Sequence, residues 1–127
     1  MIRPLLSVSV LLLALPAAAD PVLGLWQTGP DRKDQVAHVE VERCGGAICG
    51  TILRAYDKTG ERVTTPNIGK QVFWDLRPVG PDRYEGRAYV PAHDRAYDGE
   101  LVLKGDRLTV KGCLGPVCMS QDWRRVR

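Results

Sequence analysis

The sequence predicts an all-β protein, a single antiparallel up-and-down β-barrel of about eight short strands. Three observations carry that prediction. Apolar and polar residues alternate with the two-residue period of strands with one wet face. Turn residues punctuate the chain at the spacing of an all-β meander. No apolar pattern of helical period runs long enough for a helix of convincing length. Glycines inside strands, Gly86 and Gly99, fit a sheet that bulges or curls hard. Closing the sheet would also remove the exposed edges that invite aggregation. A β-sandwich is the runner-up architecture.

The first strand is Gly24-Leu25-Trp26-Gln27-Thr28, ended by the turn composition Gly29-Pro30-Asp31. The strongest strand follows over 36–43, where Ala37, Val39 and Val41 alternate with His38, Glu40 and Glu42. A cysteine-closed, glycine-rich turn over 44–50 then leads to a return strand over 51–56. The stretch 57–70 is polar, holds Gly60, Pro66 and Gly69, and has no steady period. Structureless loops of that length are uncommon unless they serve a function or move, so it reads as a lid. Strand composition resumes over 72–77, and Pro78-Val79-Gly80-Pro81-Asp82 reads as a turn. Further strands are expected over 83–90 and 96–103, the second turning at Gly105-Asp106 into a strand over 107–112. A second cysteine turn precedes the last strand, 119–126.

Residues 1–19 read as a secretory signal peptide, because Arg3 precedes the apolar run Leu5 to Leu15 and Ala17-Ala18-Ala19 offers small residues for cleavage. That run is shorter than the roughly 20 residues a bilayer-spanning helix needs. The expected product is an exported periplasmic or secreted protein, residues 20–127, forming one domain with no integral membrane segment. Of 18 basic and 15 acidic side chains, cleavage removes only Arg3, leaving 17 and 15 and a net charge of +2. The charges interleave along the chain instead of gathering into a stripe, which argues against nucleic acid as a partner.

Four cysteines in an exported chain point to two disulfides. Cys44 and Cys49 enclose four residues, as do Cys113 and Cys118. Three pairings are open. Loop entropy assigns roughly 2 kcal/mol to each local bridge and roughly 4 kcal/mol to each long one, but each glycine-rich pair has the look of one closed turn, and local pairing is the preferred reading. A four-cysteine zinc site is the rival, with ligand spacing at the edge of the usual range. No cofactor or metal is expected.

Catalytic candidates are sparse. His38 belongs to the polar face of its strand and is expected to be solvated. His93 with Asp94 has the composition of a base held by a carboxylate, and Asp94 with Asp98 is the one close acidic pair on a loop; plain turn roles explain both, and no enzyme is predicted. Binding is better supported, because small barrels are either filled by side chains or hold one small ligand. Trp74, Tyr84, Tyr89 and Tyr97 lie on middle strands, and aromatic walls with hydroxyls suit an apolar molecule with one polar end. The preferred reading is therefore a non-enzymatic binder of a small amphipathic molecule in the cell envelope. The alternative is a filled barrel that engages an envelope protein or the cell wall through its loops.

Asp20-Pro21, Gly24-Leu25-Trp26, Cys44-Gly45 with Ile48-Cys49-Gly50, Asn67, Gly86-Arg87-Ala88-Tyr89 with Pro91, Tyr97, Gly112-Cys113-Leu114-Gly115 and Trp123-Arg124 form a pattern that spans nearly the whole mature chain. It resembles the exported bacterial family called domain of unknown function 2147. The resemblance implies a small calycin barrel, lipocalin-like, in which Trp26 plugs the closed end and Arg124 or Arg125 lies across its ring. That cation–π contact would be worth of the order of 1 kcal/mol. Val90 and Arg95 depart from the family pattern, which implies a differently shaped turn over 91–97. The family is named for lacking an assigned activity, so the resemblance implies none.

Overall fold

The computed structural model describes residues 2–11 and 20–127. Residues 2–11 carry no helix or strand and are exposed. The expected cleavage site at Ala17-Ala18-Ala19 lies outside the described residues.

The strands are β1 (Gly24–Gln27), β2 (Val36–Cys44), β3 (Ala47–Tyr56), β4 (Arg62–Val63), β5 (Gln71–Gly80), β6 (Arg83–Val90), β7 (Arg95–Lys104), β8 (Arg107–Leu114) and β9 (Val117–Arg125), with one 3-10 turn at Pro91–His93. They pair antiparallel in the order β2-β1-β9-β8-β7-β6-β5-β3-β4, and a further β2–β3 pairing joins the ends. Eight strands thus close into a barrel, with β4 attached to β3 as an extra strand. That closure excludes the sandwich.

Where turns differ from the sequence reading, the cause is local. The turn between β2 and β3 is only Gly45-Gly46, with Gly45 at φ +67, so Ala47 to Gly50 belong to the strand. Pro78, Val79 and Gly80 continue β5, with Pro78 opposite Tyr84, and only Pro81-Asp82 turns. The expected lid is stitched down along its length. Val63 pairs with Ala55, Ile52 donates to the Lys70 carbonyl at 2.9 Å and accepts from Gly69 at 2.8 Å. At its near end the Asp57 carboxylate accepts the Thr59 and Glu61 amides at 2.9 and 3.0 Å. The Thr59 hydroxyl is the main reason the Asp57 carboxyl titrates below its ordinary value.

Two glycines let the sheet coil tightly. A bulge in β5 places Asp75 at φ +53, and its backbone presses on Gly86, where a Cβ would lie 2.7 Å from the Trp74 and Asp75 carbonyl oxygens. Gly50 faces the Phe73 ring, which a Cβ there would meet at 2.5 Å. Phe73 in turn stacks on Trp123 with ring centroids 5.7 Å apart. Around this pair Trp26, Leu76, Leu101, Leu108, Val22, Val39 and Val41 form one buried cluster. Each such side chain contributes on the order of 1.5–3 kcal/mol by leaving water.

Antiparallel order sorts the connections into two ends. At one lie Gly45-Gly46, Pro81-Asp82, Gly105-Asp106 and the segment 20–23; at the other lie 28–35, 57–70, Pro91–Asp94 and Gly115-Pro116. The first end is closed. Trp26 donates its indole N–H to the Val22 carbonyl at 2.9 Å, and the Arg125 guanidinium lies 4.3 Å from the Trp26 ring centroid. Arg125 also donates to the carbonyls of Leu23 at 3.1 Å and Pro21 at 2.5 Å. The Tyr84 hydroxyl donates to Asp20.

Candidate functional site: the cleft at the open end

The other end is open and holds a wide cleft of about 870 Å³. Three loops and the adjoining strand ends build it. The β1–β2 loop folds around Asp31, whose carboxylate accepts the Lys33 and Gln35 amides at 2.8 and 3.0 Å, a side-chain turn that holds the loop without a helix or strand. It brings Arg32 and Lys33 to the cleft. The neighbouring β4–β5 segment supplies Thr65, Pro66, Asn67 and Lys70. The Lys70 ammonium donates to the Asn67 side-chain oxygen at 3.3 Å and lies 5.8 Å from the Tyr89 ring centroid.

The β6–β7 turn supplies Val90, Pro91, Ala92 and Asp94. Asp94 sits in the left-handed region at φ +46 and accepts the Tyr89 hydroxyl at 2.5 Å, which is the main cause of the raised Tyr89 pKa. Ala37, Ile52 and Ala55 give the cleft an apolar strand wall. Gln121 joins it to the core, because its side-chain oxygen accepts the Trp123 indole N–H at 2.7 Å while its side chain packs on Gly29.

Of the four aromatic residues expected to line a cavity, only Tyr89 does. Tyr84 is buried in the core and reaches toward the closed end, and its pKa is raised by burial first and by Asp20 second. Trp74 is half-buried opposite Arg87, and Tyr97 is bonded to His93 Nδ1 at 2.9 Å. The middle of the barrel is filled by large side chains, so the concavity belongs to the loops. Arg32, Lys33, Asn67, Lys70 and Gln121 were not singled out as cleft residues in the sequence. Strand periodicity carries no signal for them, since four of the five sit in connections.

The expected structural residues divide. Arg125 covers Trp26, whereas Arg124 is exposed and paired in register with Gln27 and Arg107. The disulfides are Cys44–Cys49 and Cys113–Cys118, the local pairing. They staple hairpins at opposite ends, which separates the four sulfurs and removes the geometry of a four-cysteine zinc site. Among the described residues, the one group with metal-ligating atoms close together is Glu42, Cys44 and Cys49, where both sulfurs are tied in a disulfide.

The catalytic candidates are apart from one another. His93 bonds Tyr97, Asp94 takes the Tyr89 hydroxyl, and Asp98 pairs with Arg87 at 2.5 Å. His38 is partly buried on the barrel wall instead of solvated. Arg54 Nε donates to its Nδ1 at 3.2 Å, leaving Nε2–H to donate to the Gln27 side-chain oxygen at 3.2 Å. Burial, then the Arg54 charge, lowers its pKa from the ordinary 6.5.

The model of the family described as "Uncharacterized protein conserved in bacteria (DUF2147)" matches residues 24–125. The chain belongs to that family. The matched stretch begins at the first residue of β1 and ends at the last of β9, so the DUF2147 unit is the whole barrel, including every loop of the cleft. No match was found among curated proteins or among solved structures. Among the described residues of this DUF2147 protein, no helix is long and apolar enough to cross a membrane.

Proposed function

We propose that this protein is a non-enzymatic binding protein of the cell envelope that takes a small amphipathic molecule into the cleft at its open end. The observation that carries the proposal is the contrast in filling. Below the mouth the barrel is packed with Phe73, Trp123, Leu76, Leu101 and Trp26, while the mouth has about 870 Å³ between apolar strand ends and polar loops. Volumes of roughly 300–1,000 Å³ with a few convergent polar groups are the size range of small-molecule sites. Two short-range disulfides and the sequence pattern of residues 1–19 support an oxidising, exported setting.

Native mass spectrometry of the protein purified from bacterial periplasm tests the reading, together with solvent extraction of the same sample. A bound small molecule, released on unfolding, is the expected result. A bare polypeptide mass that stays bare after incubation with single-chain amphiphiles would overturn it.

The second reading, an interaction module, draws on a different observation. The β8–β9 hairpin at the open end exposes Leu114, Val117 and Met119 at 48, 69 and 38 %. All three stand on one face, because Leu114 pairs with Val117 and Met119 pairs with Gly112, two residues away. Under that reading L114S/V117S abolishes capture of an envelope partner and leaves small-molecule binding unchanged.

A further inference from the structure

The charged groups of the cleft point to the head group of its ligand, and the inference rests on the binding role proposed above. Five charged side chains line the cleft, the cations Arg32, Lys33 and Lys70 and the acids Asp31 and Asp94. Each acid uses one carboxylate oxygen in neutral hydrogen bonds. Asp31 accepts two backbone amides of its own loop, and Asp94 accepts the Tyr89 hydroxyl. Neither is spent on a cation: among the described residues the ion pairs are Arg83–Glu100, Arg87–Asp98, Arg125–Asp106 and Arg127–Asp106. Arg32 and Lys33 have no side-chain hydrogen bond among the described residues, and Lys70 uses one donor, toward Asn67. The cleft thus carries three cations against two acids, a net positive charge, and among the described residues no ion pair joins any of the five. All three line the same cleft from neighbouring connections, Arg32 and Lys33 on the β1–β2 loop and Lys70 on the β4–β5 segment, which the β2–β3 pairing brings next to it at the rim.

We infer that the ligand is an anionic amphiphile, a carboxylate or phosphate ester on an apolar chain. Its head is held between Arg32, Lys33 and Lys70, and its chain lies against Ala37, Ile52 and Ala55. Arginine is suited to fork onto either oxyanion, while each lysine acts as a point charge. Rim ion pairs are individually weak, and with three cations set against two acids the cleft is expected to prefer an anion about tenfold over a neutral head of the same chain. Such a preference weakens as salt screens the rim.

The test is calorimetric titration of the full barrel, residues 20–127, with decanoate, decyl phosphate, decanol and decyltrimethylammonium, repeated with R32Q/K33Q/K70Q. The expected result is that one or both anions bind about tenfold more tightly than decanol, that the cation binds most weakly, and that the variant binds the anions and decanol alike at an unchanged melting temperature. Decanoate ahead of decyl phosphate identifies a carboxylate head, and the reverse order a phosphate head. Decanol or the ammonium binding as tightly as the anions would overturn the inference while leaving the binding role intact. Binding of none of the four would overturn both.

Discussion

The two ends of the barrel are built from unlike connections, two-residue turns and the segment 20–23 at one and the long segments 28–35 and 57–70 at the other, and they reach opposite outcomes. At the closed end the polar groups answer one another: Trp26 donates to Val22, Tyr84 to Asp20, and Arg125 to Pro21 and Leu23 while covering the indole. At the open end the β1–β2 loop bonds within itself, as Asp31 does with Lys33 and Gln35, the segment 57–70 is tied to β3 through its backbone, and the space between them stays unfilled. Connections held through backbone groups leave the side chains of Arg32, Lys33 and Lys70 out of the ion pairs among the described residues, whereas at the closed end Arg125 and Asp20 are spent on the barrel. The interlocked polar contacts therefore lie at one end and the cleft at the other.

The largest test of that division is Trp26→Ala. Trp26 is fully buried and anchors both the entering segment and Arg125, so its removal should cost about 3–5 kcal/mol, a large share of the roughly 5–15 kcal/mol a small domain has. Equilibrium urea unfolding measures it. A loss under about 1 kcal/mol would show that the closed end is not the anchor.

The disulfides sharpen the same comparison, because both close loops of the same sequence separation, 5. Chain entropy assigns each roughly 2 kcal/mol. Cys49, however, is buried at 1 % exposure, while Cys118 is exposed. Replacing Cys44 and Cys49 by serine should therefore destabilise more than the same change at Cys113 and Cys118, since it buries a hydroxyl as well as opening a loop. Equal losses in thermal unfolding would mean that the surroundings of the two staples do not matter.

What the sequence made legible follows the same line. Alternation over 36–43, 83–90 and 96–103 was readable because a strand with one buried face repeats every two residues. The closed-end plug was readable only through the family resemblance, and that left Arg124 and Arg125 undecided; the register, with Trp26 opposite Arg125, decides it. The cleft was not readable. Its aromatic candidates followed the expectation that ligands lie in mid-barrel, but Gly50 and Gly86 let Phe73 and the β5 bulge press inward and fill that space. Which loops then face each other across the mouth depends on barrel closure, a property of all eight strands and not of any local pattern.

On the barrel wall, His38 provides a smaller effect with a defined sign. Its folded pKa lies below the ordinary 6.5, through burial and then Arg54. Between the folded value and 6.5 the unfolded chain binds more protons than the native one, so stability rises with pH across that window and is lost as pH falls through it. His38→Gln should flatten the slope of stability against pH just below 6.5, read from urea midpoints. An unchanged slope would assign the titration to other groups.

The smallest expected effect on stability is at the mouth. Arg32 and Lys33 are adjacent like charges with no carboxylate partner among the described residues, and Lys70 contributes one exposed hydrogen bond. Neutralising each to glutamine should change unfolding free energy by no more than about 0.5 kcal/mol. Because the Asp31 turn is made by backbone amides, it should survive these side-chain changes, and the amides of Lys33 and Gln35 should exchange hydrogen at the same rate in the variants as in the parent protein. A destabilisation above about 1 kcal/mol would mean that these cations hold the loops together, and the contrast between an end whose charged groups are interlocked and an end whose cations are not would then fail where it is drawn most sharply.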